Sequence, residues 1–138
     1  MNDVTTQTTD AARQENVGKI LDVAERLFKH YGYAKTNVAD IARELSMSPA
    51  NIYRFFSSKA EIHQALARRM LNAQYEVVKE NASSGGSAEE RLKSHLLLVH
   101  RITVETMLEE ERVHEMVLVA LDQQWPVIEE HLSRMRAL

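Results

Sequence analysis

Apolar residues recur along this chain with a helical period. Val17, Ile20, Leu21, Ala24, Leu27, Phe28 and Tyr31 fall at i, i+3, i+4 and i+7 spacing, one continuous stripe. Gly32 follows at once, the usual stop after a helix. The preceding residues 1–10 (MNDVTTQTTD) carry no period, and a disordered arm is expected there.

The next apolar positions come in shorter bursts. Thr36 reads as an N-cap with Asp40 near the positive end of the helix it starts, and Val38, Ile41, Ala42 and Leu45 make that helix's apolar face. Ser46-Met47-Ser48 breaks the pattern. Ser48 as a cap and Pro49 at the first helical position predict a second short helix over Ala50 to Phe55, with Ile52 and Phe55 or Phe56 turned inward. Ser58 with Glu61 three residues on is a capping box, which starts a third helix carrying Ile62, Leu66, Met70, Ala73 and Val77. Asn81 to Ser87 (NASSGGS) reads as a flexible linker.

Beyond it, Leu92, Leu96, Val99 and Thr103, flanked by Leu97, Leu98, Ile102, Val104, Met107 and Leu108, predict a helix apolar over much of its surface. Such a helix must be buried on more than one side. Glu109-Glu110-Glu111 marks an edge or junction. Val113, Met116, Val117, Ala120 and Leu121 form a further stripe, and Trp125-Pro126 opens a last helix through Val127, Ile128, Leu132 and Met135. No strand pattern is legible, so the expected class is all-α.

Two short helices joined by a tight turn, after a longer one, fit a helix-turn-helix on a three-helix core. A purely structural helical hairpin fits the same spacing. The second short helix, however, places Ala50, Asn51 and Arg54 outward, side chains suited to base edges.

Composition changes this picture little. The net charge of −3 is unusual for a protein that meets a polyanion. It is uneven: +1 over residues 1–60 and −4 over residues 61–138. Surface contacts are governed locally, within a screening length of about 8–10 Å. With no cysteine there are no disulfides and no thiolate metal sites. No stretch approaches the roughly 18 apolar residues of a membrane span, and the polar, acidic start is unlike a signal peptide. A cytoplasmic protein without membrane contact is expected. Among the six histidines, His95 and His100 are five apart and His114 and His131 lie elsewhere, so no helical zinc pair is present. Neither a nucleophile–base arrangement nor a phosphate-binding glycine loop is legible, and the reading includes no enzyme, metal or cofactor.

Three runs carry a family resemblance. Ile20-Leu21-Asp22-Val23-Ala24-Glu25-Arg26-Leu27-Phe28 with Tyr31-Gly32-Tyr33 resembles the first helix of TetR-type bacterial regulators. Thr36-Asn37-Val38-Ala39-Asp40-Ile41-Ala42 resembles that family's Thr-Thr-Val-x-Asp-Ile-Ala, and Ser48 through Ile62 its Ser-x-x-x-Leu-Tyr-x-x-Phe-x-x-Lys-x-x-Leu. The likeness is ungapped from Asn16 to Leu71. It departs at Asn37, which keeps a short hydrogen-bonding side chain, and at Ser46, where family members often carry Gly. A left-handed backbone there costs Ser on the order of 1 kcal/mol.

The resemblance implies an all-α protein: an arm over 1–10, a three-helix helix-turn-helix DNA-binding domain over 11–60, and a helical ligand-binding and dimerisation domain over 61–138. That second domain is expected to be incomplete, because TetR-like proteins are usually longer and this chain stops within an apolar helical run. The implied partners are double-stranded operator DNA, a small-molecule effector and a second copy of the chain. Thr36, Tyr53 and Lys59 would meet phosphates, and Asn37 would share that face. Ser48 would cap the helix and touch the backbone. Pro49, Ala50, Asn51 and Arg54 would meet bases, Arg suiting guanine, Asn adenine and Ala a thymine methyl. A ligand pocket would involve Leu97, Val104, Met107, Val117, Leu121 and Trp125, residues that plain core packing explains equally well. The implied function is a sequence-specific regulator, a repressor released by a small apolar or amphipathic ligand. A helical protein-interaction module with secondary DNA contact is the alternative.

Overall fold

The computed structural model describes the backbone of residues 3–109 and 111–138, and side-chain surroundings for 7–105 and 115–138. The elements are α1 (Asp3–Tyr31), α2 (Val38–Glu44), α3 (Pro49–Tyr53), α4 (Lys59–Ala82), α5 (Ala88–Glu109), α6 (Glu111–Asp122) and α7 (Pro126–Arg136), with no strand among the described residues. The helices divide into two units, Met1–Ala65 and Leu66–Leu138. No described helix is long and apolar enough to cross a membrane.

In the first unit the stripe on α1 is the core. Ile20, Leu21, Ala24, Leu27 and Phe28 are buried with Val38, Ile41 and Ala42 of α2, Ile52 of α3, and Phe56 and Ile62. Tyr31 does not follow the stripe and is exposed. Instead the chain turns at Gly32, whose φ of 89° suits a residue without a Cβ, and whose N–H donates to the Phe28 carbonyl at 2.9 Å. Tyr33 then returns inward, edge-on to Phe28 at 5.5 Å and stacked on His63 at 4.3 Å.

The arm expected over residues 1–10 is helical from Asp3. Residues 3–16 contain neither Gly nor Pro, so a helix anchored by the packed turns from Val17 onward propagates outward at little cost per residue. Gln7 to Asp10 remain exposed, which is why no apolar period marks them.

In the second unit Ala67, Ala120, Trp125 and Val127 form the buried cluster, with Leu71, Met116, Val119 and Ile128 packed against it. The Trp125 indole N–H donates to the Gln123 side-chain oxygen at 2.9 Å, so the large ring is buried without wasting its donor. α4 here buries Val78, while Ala73 and Val77 of its apolar run are exposed. Residues 83–87 make a tied connection in place of the expected flexible linker. The Ser83 hydroxyl donates to the Lys79 carbonyl at 3.0 Å and the Ser84 hydroxyl to the Asn81 carbonyl at 2.6 Å. Ser87 and Glu90 close a capping box on α5.

Candidate nucleic-acid interface

The turn between α2 and α3 is set by Ser46, which adopts φ 53°. This left-handed residue reverses the chain after the Leu45 cap, and it stands where the resemblance led one to expect Gly. α3 starts as the sequence indicates, with Ser48 extended, its Oγ accepting from the Asn51 N–H at 3.2 Å, and Pro49 at the first helical position. A helix of five residues is too short to hold itself. It is held by Ile52, its one buried residue.

That anchoring fixes which side chains face out. Pro49, Ala50, Tyr53 and Arg54 are exposed and Asn51 is half-buried. Arg54 and Lys35 enter no ion pair among the described residues, whereas Arg26 is paired with Glu44 at 2.8 Å and Arg43 with Asp40 at 3.4 Å. Lys35, in the α1–α2 connection, was missed by sequence reasoning. Its exposure beside α2 follows from the burial of Thr36 and Val38, which turns the alternate residues outward. Phe55 is half-buried, with the Arg13 guanidinium 5.3 Å from its ring centroid.

Three expected roles change. The cap of α2 is Asn37, not Thr36: its Oδ1 accepts from the Asp40 N–H at 2.9 Å, and the Asp40 carboxylate accepts from the Asn37 N–H at 3.0 Å. Thr36 is only 2% exposed, and its hydroxyl donates to the Gly32 carbonyl at 2.9 Å. Thr36 thus ties the loop to the end of α1. Lys59 is likewise engaged within the fold. Its ammonium donates to the Tyr33 carbonyl at 2.9 Å and lies 4.2 Å from the Tyr33 ring centroid. At the start of α4, Ser58 Oγ accepts from the Glu61 N–H at 3.2 Å, but the Glu61 carboxylate takes the N–H and hydroxyl of Ser57, one residue before the expected capping partner. Those two bonds hold the Glu61 carboxyl below its usual range.

The residues expected to line a ligand pocket do not converge. Leu97 is 69% exposed, and Val104 and Leu121 also face outward. Val117 is half-buried, and Trp125 is a core residue. Met107 lies outside the residues whose side chains are described. The helical period on α5 is apolar almost all round, so the side that is covered could not be read from it. Among the described residues no group of three or more His, Asp or Glu side chains converges as a metal site.

A five-residue helix set against a buried neighbour across a four-residue left-handed turn, with its polar side outward, defines a helix-turn-helix protein. Residues 20–66 match the family described as bacterial regulatory proteins, tetR family, and residues 88–138 match the tetracyclin repressor-like C-terminal domain. The chain belongs to the TetR family of bacterial regulatory proteins.

Two curated relatives, both from Pseudomonas putida, are each 41% identical to it over 58 residues: the HTH-type transcriptional regulator TtgR and the probable HTH-type transcriptional regulator ArpR. The match covers 42% of this chain and 28% of each relative, so the chain spans less than a third of their length. Among solved structures, the ketosteroid transcriptional regulator KstR2 of Mycobacterium tuberculosis is similar with a TM-score of 0.60 and 21% identity, over 88% of this chain and 61% of that one. A TetR/AcrR-family regulator from Thermobifida fusca YX-ER1 gives 0.62 and 24%, over 89% and 67%. At such identities the likeness is one of fold.

Proposed function

We propose that this chain reads double-stranded operator DNA as a transcriptional regulator in the cytoplasm, acting as a repressor that leaves its operator when a small apolar or amphipathic molecule binds the second unit. The observation that supports this most is the division of labour on α3. Ile52 alone is buried, and Pro49, Ala50, Tyr53 and Arg54 are left free on the outer side. Arg54 would pair with guanine and Asn51 with adenine, while Ala50 would rest on a thymine methyl. The Tyr53 hydroxyl, Ser48 and Asn37 would lie along the phosphates and set the register. Two copies would place their α3 helices in successive major grooves about 34 Å apart. An effector that binds better when the two are wrongly spaced would then lower DNA affinity.

A second reading takes the chain as a helical interaction module. It is favoured by Leu92, Leu96 and Leu97 of α5 and Leu118 and Leu121 of α6, all exposed in the second unit. Under the first reading these leucines belong to contacts with a second copy.

Fluorescence anisotropy separates the two. Wild type and Tyr53→Ala are titrated onto a duplex from the gene's own promoter and onto a scrambled duplex, at several salt concentrations. Phosphate contacts make log K fall steeply with log salt. Selective, salt-steep binding weakened by Tyr53→Ala supports the regulator. Equal, weak binding to both duplexes that persists when the chain is artificially dimerised supports the interaction module.

A further inference from the structure

Within the second unit, α4, α5 and α7 line a half-open pocket of about 110 Å³. α4 contributes Gln74 and Val78, α5 contributes Val99 and Ile102, and α7 contributes His131 and Met135. None of these residues was expected at a ligand site from the sequence. Val78, Val99, Ile102 and Met135 make its apolar part, and Gln74, Thr103 and His131 its polar part. The Thr103 hydroxyl donates to the Val99 carbonyl at 2.8 Å, which leaves it only as an acceptor.

His131 stands out among these groups. Its Nδ1 is buried and has no hydrogen-bond partner among the described residues. A buried polar atom left unpaired is costly, on the order of 1–3 kcal/mol, and native structures rarely leave one without a reason. Burial, with the nearby Arg134 charge adding to it, lowers the His131 pKa below the ordinary histidine value of 6.5. The ring is therefore neutral at pH 7, with one N–H to give and one bare nitrogen to accept. Arg134 does not line the cavity. Its guanidinium donates to Asn72 Oδ1 at 2.6 Å and lies 3.8 Å from the Tyr75 ring centroid. Together with the Arg68–Glu130 ion pair, this fastens α7 to α4 and holds the cavity's two walls in place.

We propose that this cavity is a binding site for a small, neutral molecule with an apolar body and one hydroxyl, hydrogen-bonded to the His131 imidazole. The proposal deepens the effector reading given above and rests on it for its regulatory meaning. A dry apolar cavity of about 150 Å³ takes up benzene, so the space between these helices accommodates roughly a single ring or a short branched chain, with its open side towards solvent. Arg134 does not line the pocket and its guanidinium is held by Asn72 and Tyr75, so an anion would find no cation to pair with directly inside it.

The test uses phenol, benzene and benzoate as probes on the full chain, read by long-range proton–nitrogen NMR of the histidine rings and by methyl shifts of Val78, Val99 and Ile102. Phenol is expected to shift both His131 ring nitrogens and those methyls, and to bind about three- to tenfold more tightly than benzene, the worth of one net hydrogen bond. Benzoate is expected to shift neither. In His131→Phe the phenol preference should vanish while benzene binding persists. The wild-type spectra decide the matter even if that variant folds poorly. Unmoved methyls, a phenol preference that survives His131→Phe, or occupancy by water alone with no phenol uptake would overturn the site. Operator affinity is measured in parallel. Phenol bound at His131 without DNA release keeps the site and removes the effector reading. DNA release by another apolar molecule that leaves His131 unmoved does the reverse.

Discussion

The Lys59 ammonium is clamped by Tyr33 from two directions, hydrogen-bonded to its carbonyl at 2.9 Å and seated 4.2 Å from its ring centroid. The start of α4 is thereby tied to the loop after α1, and the residue that a family pattern marks for phosphate is used by the fold. A cation over an aromatic ring contributes about 0.5–2 kcal/mol, more when desolvated. Lys59→Ala should therefore lower stability by about 1–2 kcal/mol in urea unfolding. It should also leave the salt slope of DNA binding nearly unchanged. A loss of about 1 in that slope would return Lys59 to the list of phosphate ligands.

Arg54 makes a contrasting prediction. It is exposed at the end of α3 and has no ion pair among the described residues, so its removal should cost the fold little. Arg54→Ala is expected to lose about 1–3 kcal/mol of affinity on the operator and much less on scrambled DNA. Equal losses on the two duplexes would show a phosphate contact and no base readout.

Ser46 carries backbone strain that glycine would relieve. At φ 53° a residue with a Cβ costs roughly 1 kcal/mol, partly offset in glycine by the larger entropy of its unfolded chain. Ser46→Gly should raise stability by about 0.5–1 kcal/mol, seen as a later urea midpoint at constant slope. A lower midpoint would mean that the hydroxyl or Cβ of Ser46 is making a favourable contact.

His63 gives the first unit a pH dependence. It is buried beneath Tyr33 and Phe28, and burial, reinforced by the Lys59 charge, pushes its pKa from the ordinary 6.5 down to about 4. Between those values the unfolded chain binds a proton that the folded chain refuses. Stability should thus be full above about pH 6.5 and decline as the pH falls towards 4. His63→Phe, which keeps a flat ring, should flatten that decline relative to wild type. Parallel stability–pH curves for the two proteins would count against it.

Much of the first unit was legible because its signals are local. The α1 stripe, the Gly32 stop and the Ser48–Pro49 start each depend on neighbours a few residues apart. What failed there failed by one residue or by a choice of partner. Thr36 and Asn37 are both short and polar, and only packing decides that the first is buried and the second caps. The contact between Lys59 and Tyr33 could not be read at all, since the two are 26 residues apart. The second unit was less legible for a different reason. α5 is apolar on nearly every side, so period cannot tell Leu97, which is exposed, from Val99, which lines the cavity. His131 carried no motif, and only its buried, unpaired Nδ1 marks it out.

One isoleucine, Ile52, holds the whole of α3 to its neighbours. On the proposed reading, folding and recognition are encoded at different positions of the same short helix, and they can drift independently. Surface changes usually move stability by no more than about 0.5 kcal/mol, so the exposed Ala50 and Arg54 can be exchanged freely while the scaffold persists, and the half-buried Asn51 within the room its neighbours leave. A lineage built this way can acquire new genomic targets by a few codon changes without passing through unfolded intermediates, and a library randomised at those three positions should yield mostly folded proteins with altered targets.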